Sequence, residues 1–204
     1  MKKILPLLFV IISTLVLITL VILIDHGDVF LFDTWFYNGI ASRMNPRFTI
    51  TMRFITESGS SMAVIILCLS FFFFKKTRDK WAFPVSLSVI IATIINMLMK
   101  LVFARERPNI LRLIEETNYS FPSGHAMINT AFYMMLLLLT WQHIKNKWIK
   151  YTISIICITM PLLIGFSRIY LGVHYASDVV AGWIIGFIIS IIVFQLFKQG
   201  SRVV

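Results

Sequence analysis

The chain has 204 residues, of which 58% are hydrophobic and only 14% charged, and its mean hydropathy is +0.86. Soluble domains are roughly half apolar and a quarter charged, so an ordinary cytosolic globule, a disordered chain and a coiled coil are excluded. The net charge of +10 comes from 19 Lys and Arg against 9 Asp and Glu. In so apolar a chain that excess belongs to membrane loops rather than to nucleic acid.

A helix that crosses a bilayer needs about 20 mostly apolar residues, because backbone groups in lipid must bond to one another. Six stretches meet that need: Ile4–Ile24, Ser60–Phe74, Trp81–Met99, Ser123–Trp141, Ile149–Phe166 and Ala176–Phe197. The expected fold is therefore all-α, a polytopic membrane protein of six transmembrane helices in a single domain over residues 1–204. The first stretch follows Lys2 and Lys3 as a signal peptide would. Its core is too long, however, and Leu23-Ile24-Asp25-His26 lacks small residues for cleavage, so it reads as a retained anchor. Cys68 and Cys157 lie inside apolar runs and imply no disulfide framework.

Charge sets the expected orientation. With the N-terminus inside, one face holds Lys2, Lys3, Lys75, Lys76, Arg78, Lys80, Lys145, Lys147, Lys150, Lys198 and Arg202 against the single acid Asp79. The other face has equal numbers of acids and bases, so the positive-inside bias puts both termini in the cytoplasm. Of the outer connections, Asp25–Gly59 spaces Phe30, Phe32, Trp35, Phe36 and Ile40 as an interfacial amphipathic helix would. A loop packed on the bundle fits those few turns equally well. Lys100–Pro122 contains Arg-Pro and Asn-Tyr-Ser-Phe-Pro, which argue against a continuous helix. Ser167–Tyr175 reads as a short turn.

Three segments put ionisable residues at the outer membrane edge, where they are costly and usually functional. Lys100, Arg107 and Arg168 are three cations suited to one multiply charged anion. Pro122-Ser123-Gly124 opens a helix, whose free N–H groups and positive dipole end also favour an anion. His174 and Asp178 are spaced i, i+4 on one helix face, so the carboxylate can orient the imidazole and leave Nε2 free to attack. His125 supplies a second imidazole, able to protonate a leaving alkoxide. Together these read as phosphoryl transfer through a phosphohistidine.

These residues resemble the signature of the type 2 phosphatidic acid phosphatase superfamily, KxxxxxxRP, PSGH and SRxxxxxHxxxD. They stand here as Lys100…Arg107-Pro108, Pro122-Ser123-Gly124-His125 and Ser167-Arg168…His174…Asp178, with every specified position matched. The resemblance implies a metal-independent, cofactor-free phosphatase acting on a lipid phosphate in the bilayer. It makes His174 the nucleophile, Asp178 its partner and His125 the general acid, and assigns Lys100, Arg107, Ser123, Gly124 and Arg168 to the phosphate. Small size and layout are most similar to the bacterial phosphatidylglycerophosphatases and their undecaprenyl-diphosphatase relatives. That implies a multi-pass protein of the bacterial cell membrane, with no nucleic-acid partner, no obligate protein partner and an outward-facing site. Undecaprenyl diphosphate and phosphatidate stand as alternative substrates.

His26 and His143 read as structural or interfacial residues. Arg105, Glu106, Arg112, Glu115 and Glu116 read as solvated ion pairs, with substrate contact by Arg105 or Arg112 as the alternative, and Asn96 as a bond between neighbouring helices. Three other classes compete. A haloperoxidase would be large and soluble. A phospholipid transporter or scramblase would not need His174 and Asp178, and a purely structural membrane partner would need none of the motif residues.

Overall fold

The computed structural model describes residues 4–73, 75 and 78–200; Lys2, Lys3, Phe74, Lys76 and Arg202 lie outside the described residues. Helix α1 spans Ile4–Asp25, α2 Phe30–Ala41, α3 Pro46–Ser58 and α4 Ser61–Phe73. A π-helical turn, Arg78–Ala82, leads into α5, Phe83–Phe103, followed by α6, Gly124–His143, α7, Lys147–Tyr170, and α8, Ala176–Gly200. Among the described residues there is no strand.

Four helical segments are long and apolar enough to cross a bilayer: Leu7–Asp25, Lys80–Phe103, Lys147–Tyr170 and Ala176–Lys198. A fifth is obtained if α3 and α4, which meet at a bend of 46°, form one broken span. The six expected spans are thus four or five by length and apolarity, and two corrections explain the difference. The expected second span, Ser60–Phe74, is too short alone, and α3 lies before it where the sequence reading had only loop. The expected fourth span, Ser123–Trp141, is the helix α6, but it falls outside the apolar set. This helix packs against α5, α7 and α8 and buries Asn129, Thr130 and Thr140. A helix surrounded by protein can carry polar groups that a lipid-facing helix cannot.

Close backbone approach holds α6 to α8. A Cβ at Gly186 would overlap the Met127 carbonyl oxygen, and one at Gly182 would lie 2.8 Å from the Ser123 carbonyl oxygen. Beneath the site a core of Val85, Val89, Met127, Phe132, Met135, Ile164, Ile185 and Ile189 joins α5 to α8. By contrast α1 packs against α8 and is otherwise open to lipid, with Leu7, Leu15 and Ile22 exposed.

The connection between the first two expected spans is helical at the position expected for an amphipathic helix. Phe30, Leu31 and Trp35 of α2 are exposed, while Val29 and Asp33 are buried. After α5 the chain turns through Ala104 in the left-handed conformation, its N–H bonded to the Lys100 carbonyl. Residues 104–123 then cross the end of the bundle without a helix. Helix α7 continues to Tyr170, so the turn before α8 is shorter than expected, 171–175. Gly172 makes this turn at φ +74°, where a side chain would be strained and would overlap the Leu111 carbonyl.

Candidate active site

The end of the bundle where α5 and α7 finish and α6 and α8 begin encloses a cavity of about 260 Å³. Its walls include Lys100, Arg107, Glu116, Gly124, His125, Arg168 and His174. Six of the eight residues expected in the site therefore face one space, although they come from five stretches of chain. The other two, Ser123 and Asp178, are fully buried just behind them.

Each cation is placed by a different element. Lys100 is in the last turn of α5 and Arg168 in the last turn of α7. Arg107 is held by carbonyls: Nε donates to Asn118 at 2.5 Å and Nη1 to Val173 at 2.7 Å. Arg168 is only 2% exposed; its Nη1 donates to Thr56 Oγ1 at 2.9 Å, and its Nε has no hydrogen-bond partner among the described residues. A buried guanidinium with a free N–H is poised to bind an anion, since the desolvation of that group is otherwise uncompensated.

The start of α6 offers a second set of donors. Ser123 occupies the N-cap, yet its Oγ makes no capping bond and has no partner among the described residues. The first N–H groups of a helix are free by construction, so this terminus and the serine hydroxyl suit phosphate oxygens. Asn96 steadies the turn by donating to the Pro122 carbonyl at 3.1 Å. The bond to a neighbouring helix expected of it is a second one, to Met127 Sδ of α6 at 3.7 Å. Gly124 keeps the approach open, because a Cβ there would stand 3.0 Å from Asn96 Oδ1.

His174 sits in the turn 171–175 and Asp178 in the first turn of α8. Nδ1 of His174 is 3.5 Å from Asp178 Oδ2, and Nε2 is 3.4 Å from Arg107 Nη1. The i, i+4 facing is as expected. The Nδ1 contact is ion-pair range rather than a formed hydrogen bond, with Oδ2 already taken by Ser120 and Tyr175. Its Oδ2 accepts from Ser120 Oγ and from the Tyr175 N–H at 3.0 Å, and its Oδ1 from Arg105 at 2.5 Å. Burial pushes the His174 imidazole down to about 4 against the opposing pull of Asp178, with the charges of Arg168 and Arg107 adding to the decrease. Near pH 7 this imidazole is therefore neutral, as a nucleophile must be.

Two charged residues in this site are ones the sequence reading gave to solvent. Glu116 pairs with Arg168 and lies 3.7 Å from Arg107 Nη2. Burial pushes its carboxyl up, but the two arginines outweigh that and hold it below the usual carboxylate range. Arg105 contacts Asp178 and Asp33. Nothing in the sequence marks these residues except their place between matched motifs in a short outer connection. Arg112, from the same group, bonds to the Pro108 carbonyl at 3.0 Å.

A helical membrane bundle that gathers three cations, a helix N-terminus and an imidazole facing a carboxylate around one cavity fits phosphoryl chemistry. The sequence model of the PAP2 superfamily matches residues 81–202, and the chain belongs to that family. It is a multi-pass membrane phosphatase of the PAP2 type. The chain is 34% identical over 155 residues to an undecaprenyl-diphosphatase of Sulfolobus acidocaldarius, covering 73% of this chain and 70% of that protein. It is 30% identical over 158 residues to phosphatidylglycerophosphatase B of Bacillus subtilis, covering 72% and 74%. Among solved structures it resembles a transmembrane PAP2-type phosphatidylglycerolphosphate phosphatase from Bacillus subtilis. The TM-score there is 0.81 at 26% identity, covering 93% of this chain and 96% of that one.

Proposed function

We propose that the protein hydrolyses phosphatidylglycerophosphate to phosphatidylglycerol and inorganic phosphate through a phosphohistidine on His174. The observation that carries this reading is the meeting of Lys100, Arg107 and Arg168 with His174 on one cavity. The likeness in fold to a phosphatidylglycerolphosphate phosphatase over nearly the whole chain supports the choice of lipid.

In the first step His174 Nε2 attacks phosphorus and the bond from phosphorus to the lipid oxygen breaks. The departing oxygen takes a proton from His125, and phosphatidylglycerol leaves. Asp178 stabilises the cationic ring as it forms. In the second step His125 accepts a proton from water, the hydroxide oxygen bonds to phosphorus, and the P–N bond breaks. The electron pair returns to Nε2 and inorganic phosphate departs. Lys100, Arg107, Arg168, Ser123 and the Gly124 N–H hold the three equatorial oxygens, where charge is greatest in the transition state.

This reading includes a site facing outward, cytoplasmic termini and metal-independent turnover. The Lys-rich connections at the other end of the bundle support the orientation. A second reading has a specific observation behind it: the chain is 34% identical to an undecaprenyl-diphosphatase over a long stretch, and a diphosphate would present further oxygens to the same cations. Phosphate release by the purified protein, with EDTA present, compared across phosphatidylglycerophosphate, phosphatidate and undecaprenyl diphosphate, tests both. We expect turnover in EDTA, fastest on phosphatidylglycerophosphate. Faster turnover of the diphosphate would favour the second reading, and loss of all activity in EDTA would contradict the metal-independent mechanism.

A further inference from the structure

We propose that Arg105 and Asp33, which lie outside the phosphate and histidine motifs, are positioning residues that act on the nucleophile through Asp178. The inference rests on the phosphohistidine reading and deepens it.

Arg105 forks across two carboxylates from different helices. Its Nη1 donates to Asp178 Oδ1 at 2.5 Å and to Ser177 Oγ at 2.9 Å, and its Nη2 to Asp33 Oδ2 at 3.0 Å. Asp33, on α2 and 3% exposed, also accepts from the Ser177 N–H at 2.8 Å and the Ser177 hydroxyl at 2.7 Å. It therefore caps the N-terminus of α8 from another helix, one residue before the catalytic carboxylate. The Arg105 guanidinium also lies 4.1 Å from the centre of the Tyr175 ring, next to His174 in sequence. Four partners thus fix its plane.

Desolvating two carboxylates and a guanidinium is expensive, and replacing such a cluster with apolar side chains often costs nothing in stability. Its geometry explains what it does here. Asp178 has two oxygens, and Arg105 takes Oδ1, which turns Oδ2 toward His174 Nδ1. Arg105 is not among the residues lining the phosphate cavity, and its guanidinium is turned to Asp33, Ser177 and Asp178 instead. It does set both the direction and the basicity of the group that orients the nucleophile. Asp33 in turn sits on the buried side of α2, whose other side exposes Phe30, Leu31 and Trp35 to the bilayer edge. The interfacial helix is thereby tied to the catalytic carboxylate by one guanidinium.

Four full-length proteins in the same detergent test this: wild type, Arg105→Ala, Arg105→Lys and Asp33→Asn, each assayed for phosphate release from phosphatidylglycerophosphate. Misplacing a reacting group by about 1 Å costs on the order of a hundredfold, so Arg105→Ala should lose about that factor in kcat with KM within about twofold. The acid limb of kcat/KM should also move to higher pH, because Asp178 without its counter-ion holds a proton on His174 more strongly. Of the other charged groups near His174, Lys100, Arg107, Glu116, His125 and Arg168 are unchanged, and Asp33 loses its partner together with Asp178. Ethylguanidinium should restore part of the Arg105→Ala activity. Arg105→Lys keeps the charge without the fork and should be intermediate, and Asp33→Asn should lose less, since the Arg105–Asp178 pair remains.

Wild-type kcat in Arg105→Ala, or a loss with no movement of the acid limb and no rescue, overturns the proposal. If Arg105→Ala does not yield folded protein, wild-type kcat and acid limb in both Arg105→Lys and Asp33→Asn overturn it equally. His174→Ala separates the two levels: if that variant turns over normally, the phosphohistidine reading itself has failed.

Discussion

At the end of the bundle where α5 and α7 finish, Arg107, Arg168, His174, Asp178 and Asp33 are all buried. At the opposite end Lys75, Lys145, Lys147 and Lys198 are exposed, and Lys150 and Lys198 lie over the rings of Trp141 and Phe194. Exposed lysines cost little and anchor the helices against the headgroups. Buried ions cost several kcal/mol each unless they are paired, so a cluster of them persists only where it is used. The comparison separates the two uses of basic residues in this chain: topology at one end, chemistry at the other. Substitutions at the two ends should therefore differ in kind as well as in size.

The largest effect should come from His174→Ala, which removes the proposed nucleophile and should abolish turnover on every substrate rather than raise KM. Phosphate release at substrate saturation checks it. Next in size, Arg168→Ala and Arg107→Ala each remove a donor to the equatorial oxygens. At the scale of a single oxyanion donor, about 3 kcal/mol, each should lower kcat/KM on the order of a hundredfold. Arg112→Ala, which removes a bond to the Pro108 carbonyl, should lose far less; an equal loss would show that the phosphate shell is wrongly drawn.

His125→Ala should divide substrates. A lipid alkoxide is a poor leaving group and needs a proton, whereas an aryl phosphate leaves with little help. The variant should lose most activity on the lipid monoester and much less on p-nitrophenyl phosphate, and equal losses would give His125 a binding role instead. The pH profile sharpens the same picture. His174 is held at about 4, below the ordinary histidine value, so its neutral form persists as the solution is acidified. On wild type the acid limb of kcat/KM should fall near that value; a limb at the ordinary value would show that the imidazole is not buried as described. The smallest effects should be at the other end, where Lys145→Ala and Lys147→Ala should keep turnover within about twofold, as exposed charges usually do.

The sequence makes the catalytic end legible wherever chemistry demands a residue at a fixed spacing. Lys100, Arg107, Gly124, His125, Arg168 and His174 share a cavity because the turn at Ala104 and the short link 171–175 bring their helix ends together. Helix α6 was legible as a helix but not in its environment: Asn129 and Thr130 look like flaws in a span until the surrounding helices are seen. Helix α3 was missed because Arg47, Thr49, Thr51 and Arg53 break up its apolar residues, and its role appears only when Thr56 meets Arg168. Arg105 and Glu116 were missed for a related reason. A charged side chain in a loop carries no mark of burial, and only the fold reveals that its partners are Asp178 and Arg168.

The central claim is that phosphate passes through His174, and trapping that intermediate tests it most directly. Protein mixed with phosphatidylglycerophosphate carrying labelled terminal phosphate, then quenched with base within the first turnover, should hold label that is stable to base and released by acid. His174→Ala should hold none. Label retained by His174→Ala, or turnover by the wild type with no label on protein at any time before steady state, would contradict the account.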